Sequence, residues 1–469
     1  WFRDWLRRYI VRESEQYLNG QLSIGGLGGN LFFGVQLTDV ALDVSGERVV
    51  VVKDLELDYS VFRLISSGMV LDDIKLNQPS IVLERGADGW NLARVVKEQR
   101  QEADREGPGR PLALPSIGVT DANVTIREGA VGTSGYRLPS QITNLDIKAG
   151  FEYEPVHYSV TLGHVSFRST SPTLSLGELS GKIAVRDDNL YVENLKVITG
   201  DSSIHVDGVV EQYLETPIIK VTTTGNVSLP EIGRVVPPAA QYNLKPAFKI
   251  TANGPAEKLA LDLDIRTEAG TARGRLTADV QGPAMGAEGE VDVENLDLAP
   301  ILRNPEQRSN ITGHATIDLE IAGTPESAAI TDRMSGTFAF NGPRIRAAGY
   351  DASNVRVSGR INGPRIELDG RANAYGGSAT AEGFIVTPTE GRPLSFDLRG
   401  RAEDVDLRRL PASIGVPDVQ TDLSVARYHV RGAGRRIEGT AELNRSTIEG
   451  ATVGDGTRAE FRVQPGAIS

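Results

Sequence analysis

The feature that most constrains this chain is a two-residue period in its apolar side chains, kept up from Gln21 almost to the end. Successive side chains of a strand point to opposite faces, so this period reads as strands and not helices. Leu22 and Ile24 begin the series, and after the glycines Gly25, Gly26, Gly28 and Gly29 it continues through Leu31, Phe33, Val35 and Leu37. Val40, Leu42 and Val44 follow, then Val50, Val52, Leu55, Leu57 and Tyr59. Further along, Leu259, Leu261, Leu263 and Ile265, and then Ala315, Ile317, Leu319 and Ile321, alternate with charged or polar residues. Gly, Asn, Asp and Pro clusters punctuate these runs as turns. The pattern predicts a mainly β chain with one apolar face and one wet face.

Two segments break the period. Residues 1–18 carry Trp1, Trp5 and Tyr9 on one helical stripe beside Phe2, Leu6 and Ile10, flanked by Arg3, Arg7, Arg8 and Arg12. Aromatics with arginines suit a membrane headgroup region, which makes Trp1, Trp5, Arg7, Arg8 and Tyr9 membrane-proximal candidates. A helix capping a sheet is the alternative. The second segment, residues 90–106, starts at Trp90 with Leu92, Val95 and Val96 and then gives way to charge; it reads as a short helix with an exposed end. Between the two, residues 70–83 read as two short strands around an Asn77-Gln78-Pro79-Ser80 turn.

Three passages share one plan. The runs beginning Gly225-Asn226-Val227, Gly289-Glu290-Val291 and Gly400-Arg401-Ala402 each pass from a strand into a short apolar turn, and each is followed by a further alternating strand. Their unequal spacing disfavours a strict solenoid and suits a long meander. At roughly 25 to 30 strands about 4.8 Å apart, an antiparallel meander would exceed roughly 100 Å. Twist would curl such a sheet, and its apolar face must be covered by something other than water.

Composition limits what that cover can be. Aromatics make up 6% of the 469 residues and there are 3 Met, so bulky core-filling side chains are scarce and a thick core is not expected. A net charge of -12 disfavours general nucleic-acid binding, which is built from clustered Lys and Arg. With no Cys there is no disulfide, thiolate nucleophile or Cys zinc site. No window holds about 18 consecutive apolar residues, so no transmembrane helix is expected within the sequence. Starting at Trp and stopping in a strand pattern, the sequence reads as an internal piece of a longer chain.

The motifs that could carry chemistry have plainer readings. The Gly25 to Gly29 cluster lacks the Lys-Ser/Thr pair and the strand-helix unit of a phosphate loop. His157, His164, His205, His314 and His429 are dispersed and lack a metal-ligand spacing. Asp262 with Asp264, and Asp318 with Glu320, alternate with apolar residues and belong to a solvent face. Asn123, Asn226, Asn310 and Asn444 head glycosylation-type triplets, which would matter only in a eukaryotic secreted chain. The reading is non-enzymatic, with no cofactor and no metal.

Residues 21–44, an L-x-I, a glycine cluster and then N-L-F-F-G-V-x-L-x-D-V-x-L, resemble the amino-terminal module of the AsmA-like and TamB proteins, relatives of the eukaryotic chorein proteins. V-L-D-D-I-K-L-N-Q-P-S-I-V-L-E-R at 70–85 and G-A-D-G-W-N-L at 86–92, followed by a polar break and a new strand at 111–126, strengthen the likeness. The specific motifs cover residues 1–126, and the later repeats resemble the family's β-groove more loosely. AsmA-like and TamB-like labels stay open.

The resemblance implies a helix at 1–20, a chorein-like module at 21–126 and an incomplete groove at 127–469. It also implies a periplasmic protein, held in the inner membrane of a bacterial envelope by an anchor outside this sequence. The function it implies is transport of phospholipid through a long curled antiparallel groove, with acyl chains as partners and an outer-membrane protein at the far end. Templating of outer-membrane or autotransporter strands is one alternative and a structural spacer another. The phase of the strands assigns the lining to Leu22, Ile24, Leu31, Phe33, Val35, Leu37, Leu57, Ile74, Leu76, Ile81, Leu83, Leu259, Leu261, Leu263, Ile265, Ile317, Leu319, Ile321, Phe338 and Phe340. A single bulge would flip every later side chain in that assignment.

Overall fold

Alternation with little bulk gives a long sheet of many strands. The computed structural model describes residues 2–30, 32–44, 46–59, 71–86, 89–95, 112–128, 136–154, 156–281, 284–323, 330–347, 349–387, 393–410, 418–434, 436–464 and 467–468. The chain divides into two units, Trp1–Ala247 and Phe248–Ser469. The candidates Trp1 and Leu31, and the helical run expected beyond residue 95, lie outside the described residues.

The first unit opens with helix α1 (Phe2–Tyr17) and the strands β1 (Gln21–Asn30), β2 (Gly34–Val44) and β3 (Glu47–Tyr59). Next come β4 (Leu71–Asn77), β5 (Ser80–Gly86), β6 (Gly89–Trp90) and a 3-10 turn at Asn91–Arg94. The unit continues with β7 (Leu112–Glu128), β8 (Gln141–Glu154), β9 (His157–Thr170), β10 (Leu174–Arg186), β11 (Asn189–Thr199), β12 (Ser203–Glu211) and β13 (Ile218–Asn226). From β7 onward each strand pairs antiparallel with the next.

One expectation fails here. Asn77 to Ser80 is not a reversal: β4 and β5 both pair antiparallel with β3 and parallel with β7, so they are one strand bent at Gln78, where φ is 48°, and Pro79. Proline lacks the ladder donor and forces the bend without turning the chain back. The parallel pairing also means that the sheet is not a pure meander.

The second unit runs from β14 (Ala247–Pro255) through β15 (Leu259–Thr267), β16 (Gly270–Asp279), β17 (Met285–Leu296), β18 (Ser309–Ile321), β19 (Met334–Ala347) and β20 (Tyr350–Asn362). It continues with β21 (Arg365–Ala374), β22 (Gly377–Val386), β23 (Ser395–Val405), β24 (Thr421–Ala433) and β25 (Arg436–Leu443). A small hairpin, β26 (Ser446–Ile448) and β27 (Ala451–Val453), precedes β28 (Thr457–Gln464) and β29 (Ala467–Ile468). Sequential antiparallel pairing joins β15 to β25, and β28 then pairs with β25.

The three similar passages mark a repeated local structure. After β13, β17 and β23 the chain enters a short helix or 3-10 turn: α2 (Leu229–Ile232), α3 (Leu298–Leu302) and Leu407–Arg409. Asp297 caps α3 by accepting from the Ala299 amide at 3.0 Å, and Asp406 accepts in the same way from Arg408 at 3.1 Å. A buried hydroxyl at the start of the next strand completes each latch. Ser309 Oγ accepts from Leu298 N at 2.7 Å, and Thr421 Oγ1 from Leu407 N at 2.9 Å.

The first of these connections, residues 227–246, is longer and ties down one rim of its sheet. Its Val235 carbonyl accepts from Arg137 N just before β8, and Arg234 donates to Thr173 O before β10. Glu231, 5% exposed, accepts from Thr199 Oγ1 and Ser202 Oγ, both at 2.6 Å, at the β11–β12 turn. Glu231→Ala strands those hydroxyls, and urea unfolding is expected to show a loss of about 2 kcal/mol.

Candidate functional site: an uncovered aliphatic face

Cross-strand partners share a face, so the register of the ladders shows which side chains lie together. In the first unit one line runs Leu27, Leu37, Leu55, Leu76, Val119, Ile147, Val165, Leu179, Val197, Ile204, each residue directly opposite the next. No polar residue interrupts it from β1 to β12. Nine steps of about 4.8 Å make the line roughly 43 Å long. The neighbouring row begins Val35, Leu57, Ile74, Ile117, Ala149, Leu162. Ile81 and Leu83 sit opposite Val124 and Ile126 on β7.

The second unit carries the same kind of line with glycines set into it: Leu261, Leu276, Gly289, Ile317, Phe338, Gly359, Leu368, Gly383, Leu398, Val430, Gly439, Phe461. Rings lie over two of the glycines: a Cβ on Gly359 would come within 2.9 Å of the Phe338 ring, and one on Gly439 would meet the Phe461 ring. At these two places a ring is matched by no side chain on the neighbouring strand. Leu263 and Phe340 belong to the adjacent row, and Leu259, Leu319 and Ile321 lie on the same face with Ile265.

The feared phase flip occurs, yet the apolar face survives it. Asp39, Asp121, Asn144, Asn194, Asn295, Asn354 and Asp404 all have φ between 50° and 57°. At these points apolar residues are spaced by three: Leu37 to Val40, Val119 to Ala122, Ile142 to Leu145, Val192 to Leu195, Val293 to Leu296, Ala352 to Val355 and Ala402 to Val405. The left-handed residue absorbs the odd step, which Asp and Asn tolerate better than other non-glycine residues. The bulges support one another across strands. Asp121 N donates to Asp146 Oδ1 at 2.9 Å, Asn144 Nδ2 to Asp121 Oδ1 at 3.0 Å, and Asn194 N to Asp207 Oδ1 at 2.7 Å.

Helix α1 is the one sizeable element packed on this face among the described residues. Its Ile10 and Val11 sit on the buried cluster Ile24, Leu37, Val40 and Val52, with Leu22, Leu27 and Leu76 around it. Leu22, Ile24 and Leu37, placed in the lining by phase, are therefore covered by the chain itself at this end. Elsewhere no second layer of strands covers the face among the described residues, and Leu261, Leu263, Ile317, Leu319, Phe338 and Leu398 are only half-buried. Their polar strand neighbours are more exposed, as the alternation along β20, β21 and β22 shows, so the aliphatic side is the sheltered one.

Phe33 is a correction. It lies in the turn between β1 and β2, is 68% exposed, and has no place in the ladder row to which alternation assigned it. Its amide is used by Asn30 O and its carbonyl by Tyr59 N, which closes the hairpin one residue before the strand begins. Trp5 and Tyr9 are 47% and 40% exposed and stack with ring centroids 5.6 Å apart. Arg7 reaches Gly25 O at 2.9 Å, and Arg8 turns back to Asp4 O at 3.2 Å.

The opposite face is a lattice of cross-strand ion pairs. Arg275 meets Asp262 at 3.3 Å and Arg273 meets Asp264 and Glu294 at 3.6 Å each, while His314 and His429 hydrogen-bond to Asp292 and Asp397 at 2.8 Å each. An open depression of about 460 Å³ on this face is lined by Lys249, Asp262, Asp264, Arg273, Arg275, Glu290 and Asp292, charges that largely pair among themselves. No group of three or more potential metal ligands is found among the described residues.

Hydrogen bonding to Arg344, aided by Arg346, holds Asp351 at about 2 against an ordinary 3.8, and Arg408 does the same for Asp406. A depressed carboxylate contributes stability that is complete above its unfolded value and is lost as pH falls toward about 2. The double change Asp351→Asn, Asp406→Asn is expected to flatten the fall in urea midpoint between about pH 4.5 and about pH 2.5.

Neither a family model nor a curated protein nor a solved structure matches the chain.

Proposed function

We propose that the aliphatic face carries phospholipid acyl chains, and that the protein acts as a conduit for lipid between the membranes of a bacterial envelope. The observation that carries this reading is the unbroken line from Leu27 to Ile204, of which the stretch from Val119 onward lies outside the cluster that α1 covers, with its glycine-bearing counterpart in the second unit. Burying one methylene yields about 0.8 kcal/mol, so an acyl chain laid across several strands supplies the cover that the protein omits. A line of equivalent aliphatic positions has no single deep pocket, which lets a chain slide instead of lodging.

The AsmA-like or TamB-like placement, the inner-membrane anchor and the periplasmic location belong to this proposal and rest on the motifs of residues 1–126. Strand templating would need an open edge; at β1 the carbonyls of Gly25 and Gly29 already accept from Arg7 and Arg3. A spacer has no use for an uninterrupted apolar line.

Photocrosslinking tests the proposal. Probes replacing Leu76, Leu179, Leu263 and Leu319 in cells should capture phospholipid, and probes at Lys148 and Glu290 on the ion-paired face should not. Capture of outer-membrane polypeptide at the aliphatic sites, or of neighbouring strands alone, would overturn the conduit reading.

A further inference from the structure

Two elements place aromatic rings in solvent at one corner of the first unit. Phe32 and Phe33, in the tight turn between β1 and β2, are 69% and 68% exposed. This is an ordered display: Asn30 accepts from Phe32 N through its side chain at 3.0 Å and from Phe33 N through its carbonyl at 2.9 Å, and Tyr59 N holds Phe33 O at 3.0 Å. Helix α1 lies antiparallel to β1, since Arg7 donates to Gly25 O and Arg3 to Gly29 O, beside that turn. The same helix carries the exposed Trp5–Tyr9 stack.

Charge points to the occupant. In a chain of net charge -12, α1 holds four arginines, Arg3, Arg7, Arg8 and Arg12, against Asp4, Glu13 and Glu15, a local excess of positive charge. Arg8 and Arg12 are exposed: Arg8 binds its own helix at Asp4 O, and Arg12 lies 5.7 Å from the Tyr9 ring centre. Their charges are available to anionic headgroups, while ordered aromatics seat at the depth where headgroups meet acyl chains. No helix among the described residues is long and apolar enough to cross a membrane, so contact here is peripheral.

We propose that the Phe32–Phe33 turn, with Trp5, Tyr9, Arg8 and Arg12 of α1, is a docking surface for an anionic phospholipid bilayer, in which the two phenylalanines insert as a wedge. This goes beyond the conduit reading and stands without it. The aromatics supply depth of insertion and the arginines selectivity for negative lipid.

Flotation of the purified chain with vesicles tests it. With phosphatidylglycerol and phosphatidylcholine vesicles the protein is expected to float, and to float at least about tenfold less with phosphatidylcholine alone or at high salt. Phe32→Ser with Phe33→Ser should lower bound protein about tenfold or more on the mixed vesicles. Arg8→Glu with Arg12→Glu should abolish the preference for anionic lipid. Circular dichroism should be unchanged in both, because none of these side chains is buried. Wild-type protein that stays with the soluble fraction, or a serine variant that floats like wild type, would overturn the proposal, as would saturable capture by one envelope protein with no vesicle binding. Loading of a fluorescent phospholipid from detergent, measured on the same samples, keeps the two proposals apart: the serine variant should load like wild type, and loading that fails in every sample counts against the conduit alone.

Discussion

Gly383→Val is expected to cost more than about 3 kcal/mol, enough to unfold much of the second unit at room temperature in moderate urea. Gly383 sits in the middle of the aliphatic line, between Leu368 and Leu398, with φ at 143°. That conformation is essentially reserved for glycine. A Cβ would also overlap the carbonyl oxygen of Asp397 on the neighbouring strand. Two penalties thus combine, because valine is strained by its backbone and cannot shift without breaking the ladder to β23. Gly349→Ala is the control. It too has a positive φ, 85°, but nothing lies within 4 Å of the added carbon, and a loss of about 1 kcal/mol is expected. Urea midpoints at constant slope separate the two cases; equal losses would mean that close strand approach plays no part at Gly383.

The second large effect is functional. Leu398→Asp puts a carboxylate on the aliphatic line at a position that is half-buried in the protein alone, so folding should lose only about 1 to 2 kcal/mol. An acyl chain crossing that point would have to strip water from the charge, which costs far more than the methylenes in contact can return. Lipid captured by a photoprobe at Leu263 in the same unit is expected to fall at least about tenfold. Leu37→Asp provides the contrast, since Leu37 is 4% exposed beneath Ile10 and Val11. There the charge cannot reach water, and the expected result is unfolding of the first strands instead of a folded, lipid-free protein. If Leu398→Asp leaves capture unchanged, the aliphatic line is not the lipid path.

Both experiments depend on a division that runs through the molecule. The period of two sufficed to predict a mainly β chain, one apolar face and one charged face, because side-chain alternation is a local property of an extended backbone. It also placed Leu261, Ile317 and Phe338 in positions that prove to share one line. The bulges have a local sequence cue as well: apolar, polar, Asp or Asn, apolar, as in Leu37-Thr38-Asp39-Val40 and Val119-Thr120-Asp121-Ala122. Scarcity of aromatics foretold the missing second layer, since little bulk was available to build one.

What the tertiary structure alone decided concerns partners distant in sequence. Whether Asn77 to Ser80 turns back or merely bends depends on β7, some forty residues away, which pairs with both halves. Whether Phe33 joins the lining depends on where the hairpin closes, and Asn30 and Tyr59 close it one residue short. Whether Ile24 and Leu37 are open to a ligand depends on α1 folding back over them. Alternation along one strand fixes which side chains share a face; only the pairing of strands and the packing of the helix determine what covers that face, because those energies are summed over contacts between segments that the local sequence does not encode.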